Sequence, residues 1–103
     1  MDTDVINSKA QFKQRVHDWA EKLEVKVVGI GIRPMRNKWA SCSTTGRLNF
    51  NIELLSMDEK LWDYVIVHEL LHIFVPNHGK LWKSLMRAHL GAYEEMEKSL
   101  RNL

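Results

Sequence analysis

Between Ser56 and Pro76 the chain permits one long helix and little else, and no other segment constrains the fold as tightly. Ser56-Met57-Asp58-Glu59 matches the Ser-x-x-Glu capping box, with two acids placed where they complement the positive end of a helix. Pro76 closes the far end. The residue before a proline is pushed out of the helical region, so the predicted helix can run through Phe74 and must end by Val75. Residues 65–75 are otherwise almost wholly apolar, which makes His68, Glu69 and His72 costly to bury without partners or a metal.

The flanking segments read as shorter elements. Ser8 with Gln11 forms a capping box ahead of an apolar stripe at Phe12, Val16, Trp19, Ala20 and Leu23, predicting an N-terminal helix. β-branched residues then crowd from Val25 to Ile32, predicting a strand that stops at Pro34. Two further strands are expected at Asn37–Cys42 and Arg47–Ile52, joined by a hairpin turn over Ser43–Gly46. Lys80–Leu90 carries a second apolar stripe that Gly91 is placed to end, and a last short helix is expected over Ala92–Leu100. Helix, three strands, then helices make an α+β arrangement, and 103 residues support a single domain over 1–103. Trp19, Trp62 and Trp82 fall on apolar helical stripes and are read as core, Cys42 as a small buried apolar residue, and His17 as a surface residue.

Composition narrows the function classes. The formal net charge of +2 gives no field that would steer the protein to nucleic acid, and the small cluster Arg33, Arg36 and Lys38 reads as a solvated loop. The first ten residues lack the apolar core of a signal peptide, and no window is apolar enough to span a bilayer, so a soluble, cytoplasmic protein is expected. Cys42 is the only cysteine, which excludes an intrachain disulfide and a thiolate cluster. Any metal must be held by nitrogen and oxygen.

The segment His68-Glu69-Leu70-Leu71-His72 has the His-Glu-x-x-His form. Residues four apart on a helix stack one turn above each other, so two imidazoles converge on one ion. Glu69, rotated by about 100° from His68, is kept from joining them yet reaches a water beside the ion. Such a constellation suits zinc-dependent hydrolysis with Glu69 as general base. A catalytic zinc site needs a third protein ligand. His78, beyond the Pro76-Asn77 turn and before Gly79, is the leading candidate, with Glu94, Glu95 and Glu97 as rivals on a later helix. Tyr64, one turn before His68 on the same face, is a candidate oxyanion donor, with His89 and Tyr93 behind it as residues read mainly as structural.

Lys38-Trp39-Ala40-Ser41-Cys42, Arg47-Leu48-Asn49-Phe50-Asn51, the run from Tyr64 to His72, Asn77-His78-Gly79 and Trp82 together resemble the minigluzincins, very small soluble relatives of the gluzincin metallopeptidases. The resemblance covers roughly residues 30 to 85, with Ala40 standing where the family usually has glycine. It implies His78 as third zinc ligand and a small twisted mixed sheet packed on the motif helix. It also implies that Lys38 to Ser43 forms an edge strand lining the cleft, with Arg47 to Ile52 inside the sheet. Trp39, Ala40 and Ser41 are then expected to contact a peptide bound by strand addition. In related enzymes the C-terminal segment covers the cleft. Residues 91–103 are therefore a candidate latency segment, acting within a monomer or through a C-terminally exchanged dimer. The competing readings are a zinc-binding scaffold or regulatory module without turnover, and a DNA-associated protease.

Overall fold

The computed structural model describes residues 3–73, 75 and 77–101. Helix α1 spans Thr3–Leu23. It contains neither glycine nor proline, so it propagates upstream of the expected start and leaves Ser8 inside the helix rather than at its cap. Phe12 and Val16 are fully buried. The chain leaves α1 through Glu24, whose φ of 58° is left-handed, and the Val25 N–H bonds the Ala20 carbonyl at 2.8 Å.

The strand expected from Val25 starts only at β1, Gly29–Arg33, because residues 25–28 are spent on this exit and Val28 bonds Gly46 across the turn. Strands β2, Ala40–Cys42, and β3, Arg47–Asn51, form the hairpin. Its turn is closed by Gly46 N–H to Ser43 O at 3.1 Å. Gly46 has φ 95°, and a Cβ there would meet the Lys26 carbonyl at 2.8 Å, so the turn requires glycine. The sheet order is β1-β3-β2, with β1 parallel and β2 antiparallel to β3. The sheet is therefore mixed, β3 is interior, and β2 is an edge, as expected. The strand predicted from Asn37 begins at Ala40 because Asn37 takes φ 61° and buried Asn51 pins the preceding loop, its Nδ2 donating to Met35 O and Lys38 O.

A 3-10 turn over Ile52–Ser56 follows, capped by Asn51. Ser56 ends that turn, its hydroxyl donating to Glu53 O, so the cap of the next helix moves to Asp58, whose carboxylate accepts from Lys60 N–H at 2.8 Å. Helix α2, Glu59–Leu71, is the centre of the molecule. Ile66, Val67, Leu70 and Leu71 are fully buried, and α1, β2, α3 and α4 all pack on it. It stops three residues before Phe74, which lies outside the described residues. The His72 and Ile73 N–H groups bond carbonyls three residues back, a tightened last turn that ends the α-helix.

Helix α3, Lys80–Leu90, has the predicted bounds, and Gly91 closes it with φ 67°. Helix α4, Glu94–Arg101, starts two residues later than expected, after buried Tyr93. Trp62 and Trp82 are core, whereas Trp19 and Cys42 are half-buried, Trp19 turning its N–H to Asp63 at 2.7 Å. Among the described residues no helix is long and apolar enough to cross a membrane.

Candidate metal centre

Three histidines from two chain segments meet at the end of α2. His68 and His72 lie on consecutive turns, with ring centroids 4.7 Å apart. His78 comes back from the turn that follows, where the Asn77 side chain accepts the Gly79 N–H at 3.0 Å and starts α3. The His78 ring lies 5.0 Å from His68 and 4.6 Å from His72. One ring nitrogen from each falls within 4.8 Å of the others, and the Nε2 atoms of His72 and His78 face each other at 2.9 Å. Metal–nitrogen bonds of about 2.05 Å in a tetrahedron separate two nitrogens by about 3.3 Å, a spacing of the same order as those in this group.

The electrostatics suit the same purpose. Burial, followed by repulsion from His68, holds His72 and His78 below the ordinary imidazole value of 6.5. Both are neutral at pH 7, and a neutral imidazole is the form that binds metal. Among the described residues no carboxylate or thiol joins the group. The three rival carboxylates are outside this group, although Glu97 lines the same cavity as His68. Glu94 pairs with Arg87, Glu95 is exposed, and Glu97 is bonded by Tyr64 and Arg101.

Glu69 has a side chain only 12% exposed, its Oε1 3.3 Å from His68 Nδ1. It opens into a cavity of about 340 Å³. The cavity is lined by Trp39 and Ala40 at the sheet edge, by Tyr64, His68 and Glu69 of α2, and by Glu97, Leu100 and Arg101 at the C-terminal helix. Ser41 is not part of the lining, because successive strand residues point to opposite faces. The Tyr64 ring lies 5.8 Å from His68, and its hydroxyl donates to Glu97 at 3.4 Å. Burial, then the Glu97 carboxylate, raises the Tyr64 pKa, so the phenol stays protonated. His89 lies away from this cavity, edge-on to Trp19.

One feature escapes sequence reading. Trp82, named in the resemblance but read for its role as core, stacks on His78 with centroids 4.2 Å apart and planes 15° from parallel. Its position four residues after His78 was the available signal. Glu97 and Arg101 belong to the 91–103 segment expected near the cleft, but which of its residues line the cavity was not legible, since their i,i+4 pairing is common on exposed helices.

The chain is similar to known proteins. An uncharacterized protein of Methanocaldococcus jannaschii is 32% identical over 103 residues, covering 94% of this chain and 93% of its own. The crystal structure of the metallopeptidase zymogen jannalysin, from the same organism, superposes with a TM-score of 0.79 at 30% identity, covering 88% of this chain and 94% of its own. The jannalysin structure is consistent with the minigluzincin resemblance carried by the motifs. The profile of the YgjP-like metallopeptidase domain matches residues 6–103. With all but the first five residues inside that match, the chain belongs to the YgjP-like metallopeptidase domain family.

Proposed function

We propose that this protein is a zinc-dependent endopeptidase in which His68, His72 and His78 hold the metal, Glu69 is the general base, and α4 keeps the site latent. The observation that carries the reading is the convergence of three imidazoles, one of which, His68, lines with Glu69 a cavity walled by a sheet edge. Three nitrogen donors and one open position are the ligand set of catalytic zinc rather than of a closed structural site. When bound, the ion supplies a Lewis acid for the scissile carbonyl and lowers the pKa of water to about 7.

The chain's own groups do the rest. Glu69 takes a proton from the attacking water and returns it to the leaving amine. β2 has a partner on one side only, so a peptide extends the sheet along it through main-chain bonds, against Trp39 and Ala40. Strand addition demands no terminus, which favours internal bonds as substrate. Tyr64, held protonated, is available to donate to the developing oxyanion once its bond to Glu97 is released. A non-catalytic zinc module has no use for a carboxylate at position 69, and the net charge of +2 offers no footprint for DNA.

The position of α4 supports the latency reading. Glu97 and Arg101 line the same cavity as Trp39 and Ala40, and the similar jannalysin structure is that of a zymogen. The deciding experiment measures zinc content and cleavage of an unstructured peptide in the full chain and in a chain lacking residues 92–103, each with and without Glu69→Gln. We expect about one zinc per chain throughout, cleavage that rises on truncation, and a loss of about 10²- to 10⁴-fold in the Gln variant. Full turnover by a zinc-loaded Gln variant rejects the base. Equal cleavage before and after truncation rejects latency.

A further inference from the structure

We infer that Trp82 is a positioning residue for the metal site, its indole setting the direction in which His78 presents its ring nitrogen. This rests on reading the three histidines as ligands. Of those three, His78 has the least support from its own backbone. His68 and His72 project from α2, whereas His78 sits exposed in the turn between α2 and α3, and its only side-chain hydrogen bond among the described residues is to His72. A loop imidazole that must be ordered each time it ligates loses side-chain entropy, and a rigid neighbour removes much of that loss in advance.

Trp82 has the properties of that neighbour. It is 3% exposed, on the first turn of α3, and is held from behind by Tyr93, edge-on at 6.0 Å. Its face lies against the His78 ring at 4.2 Å, while the His68 ring meets it edge-on at 5.2 Å and the His72 ring lies at 6.2 Å. One buried ring thus has all three imidazoles around it, and His78 lies nearest. The electron-rich indole face also favours an imidazole that has given electron density to a cation. Bulk alone explains this residue poorly. Its Nε1–H is buried with no partner among the described residues, a penalty that leucine or phenylalanine filling the same space would avoid.

The test uses the full chain and reads zinc affinity by competition with a chromophoric chelator, with thermal unfolding of the metal-free protein measured alongside. Trp82→Leu keeps an apolar side chain and removes the stack, and we expect zinc affinity to fall about 10- to 100-fold. Trp82→Phe restores a flat ring and should recover most of that loss, although both variants unfold at lower temperature. Native affinity in the Leu variant, or equal losses in Leu and Phe, overturns the inference. Should the Leu variant fail to fold, the native chain supplies the answer. The indole N–H resonance absent from the Phe variant must shift on stoichiometric zinc, and an unmoved resonance overturns the inference too. A native chain that takes up no zinc overturns the reading beneath it, whereas native zinc binding with an unimpaired Leu variant removes this inference alone.

Discussion

At the N-terminal end of α2, Asp63 accepts from Arg15 Nε at 2.6 Å, from Arg15 Nη2 at 2.8 Å and from Trp19 Nε1 at 2.7 Å, and Glu59 takes the remaining arm of Arg15 at 3.0 Å. At the other end of the same helix, His72 and His78 face each other and His68, like groups gathered with one carboxylate beside them. Opposite charges in the first cluster reinforce one another. Hydrogen bonding to Asp63 raises the Arg15 pKa well above its ordinary value. Burial and mutual repulsion in the second push two imidazole values down. A saturated cluster has no capacity left for a ligand and serves to dock α1 on α2. Three imidazoles gathered beside one carboxylate are suited to take up a cation, and they add little to stability until one arrives.

Substitutions at the two ends should therefore separate metal binding from folding. The largest effect is expected from His78→Ala. Zinc held by three or four ligands with about 10–16 kcal/mol in all loses about 3 kcal/mol or more per ligand, over a hundredfold in affinity, with little change in metal-free stability. Isothermal titration with zinc measures it, and unchanged affinity would return the third ligand to the C-terminal carboxylates. The mirror experiment is Arg15→Met. It leaves Asp63 with the Trp19 N–H alone, and we expect about 1–3 kcal/mol less stability in urea unfolding with zinc affinity preserved. A matching fall in zinc affinity would mean that the two ends are not independent.

The smallest effect is in pH. Because the folded values of His72 and His78 lie below 6.5, the unfolded chain binds more protons as pH falls through that value. The contribution of the two histidines is thus complete above about pH 6.5 and is lost progressively below it. The Arg15 charge persists across the same range. Metal-free unfolding followed from pH 8 to 5 should show a decline in the native chain that is reduced in His72→Ala. An undiminished decline would assign the effect to other groups.

Much of the fold was legible because it is local. The apolar stripes of α1 and α3, the Ser43–Gly46 turn and the Gly91 stop are each encoded within a few residues, and the structure has them where the sequence places them. Boundaries were less legible wherever a distant group competed. Ser56 opens a capping box in the sequence, yet the 3-10 turn set by Asn51 claims it and Asp58 caps α2 instead. Asn51 likewise shortens β2 by binding the carbonyls of Met35 and Lys38, from 16 and 13 residues away.

The sequence by itself determined the pairing of His68 with His72 and the offset of Glu69, because helical spacing alone sets those angles. It also determined, through Gly46 and Gly91, where the chain can reverse. Only the tertiary structure brought His78 to the other two histidines, laid Trp82 on its ring, and gathered Glu97 and Arg101 around one cavity with Trp39 and Ala40. Those placements depend on how α3 and α4 pack against the apolar sides of α2. Packing is a property of the assembled core, and no short stretch of sequence contains it.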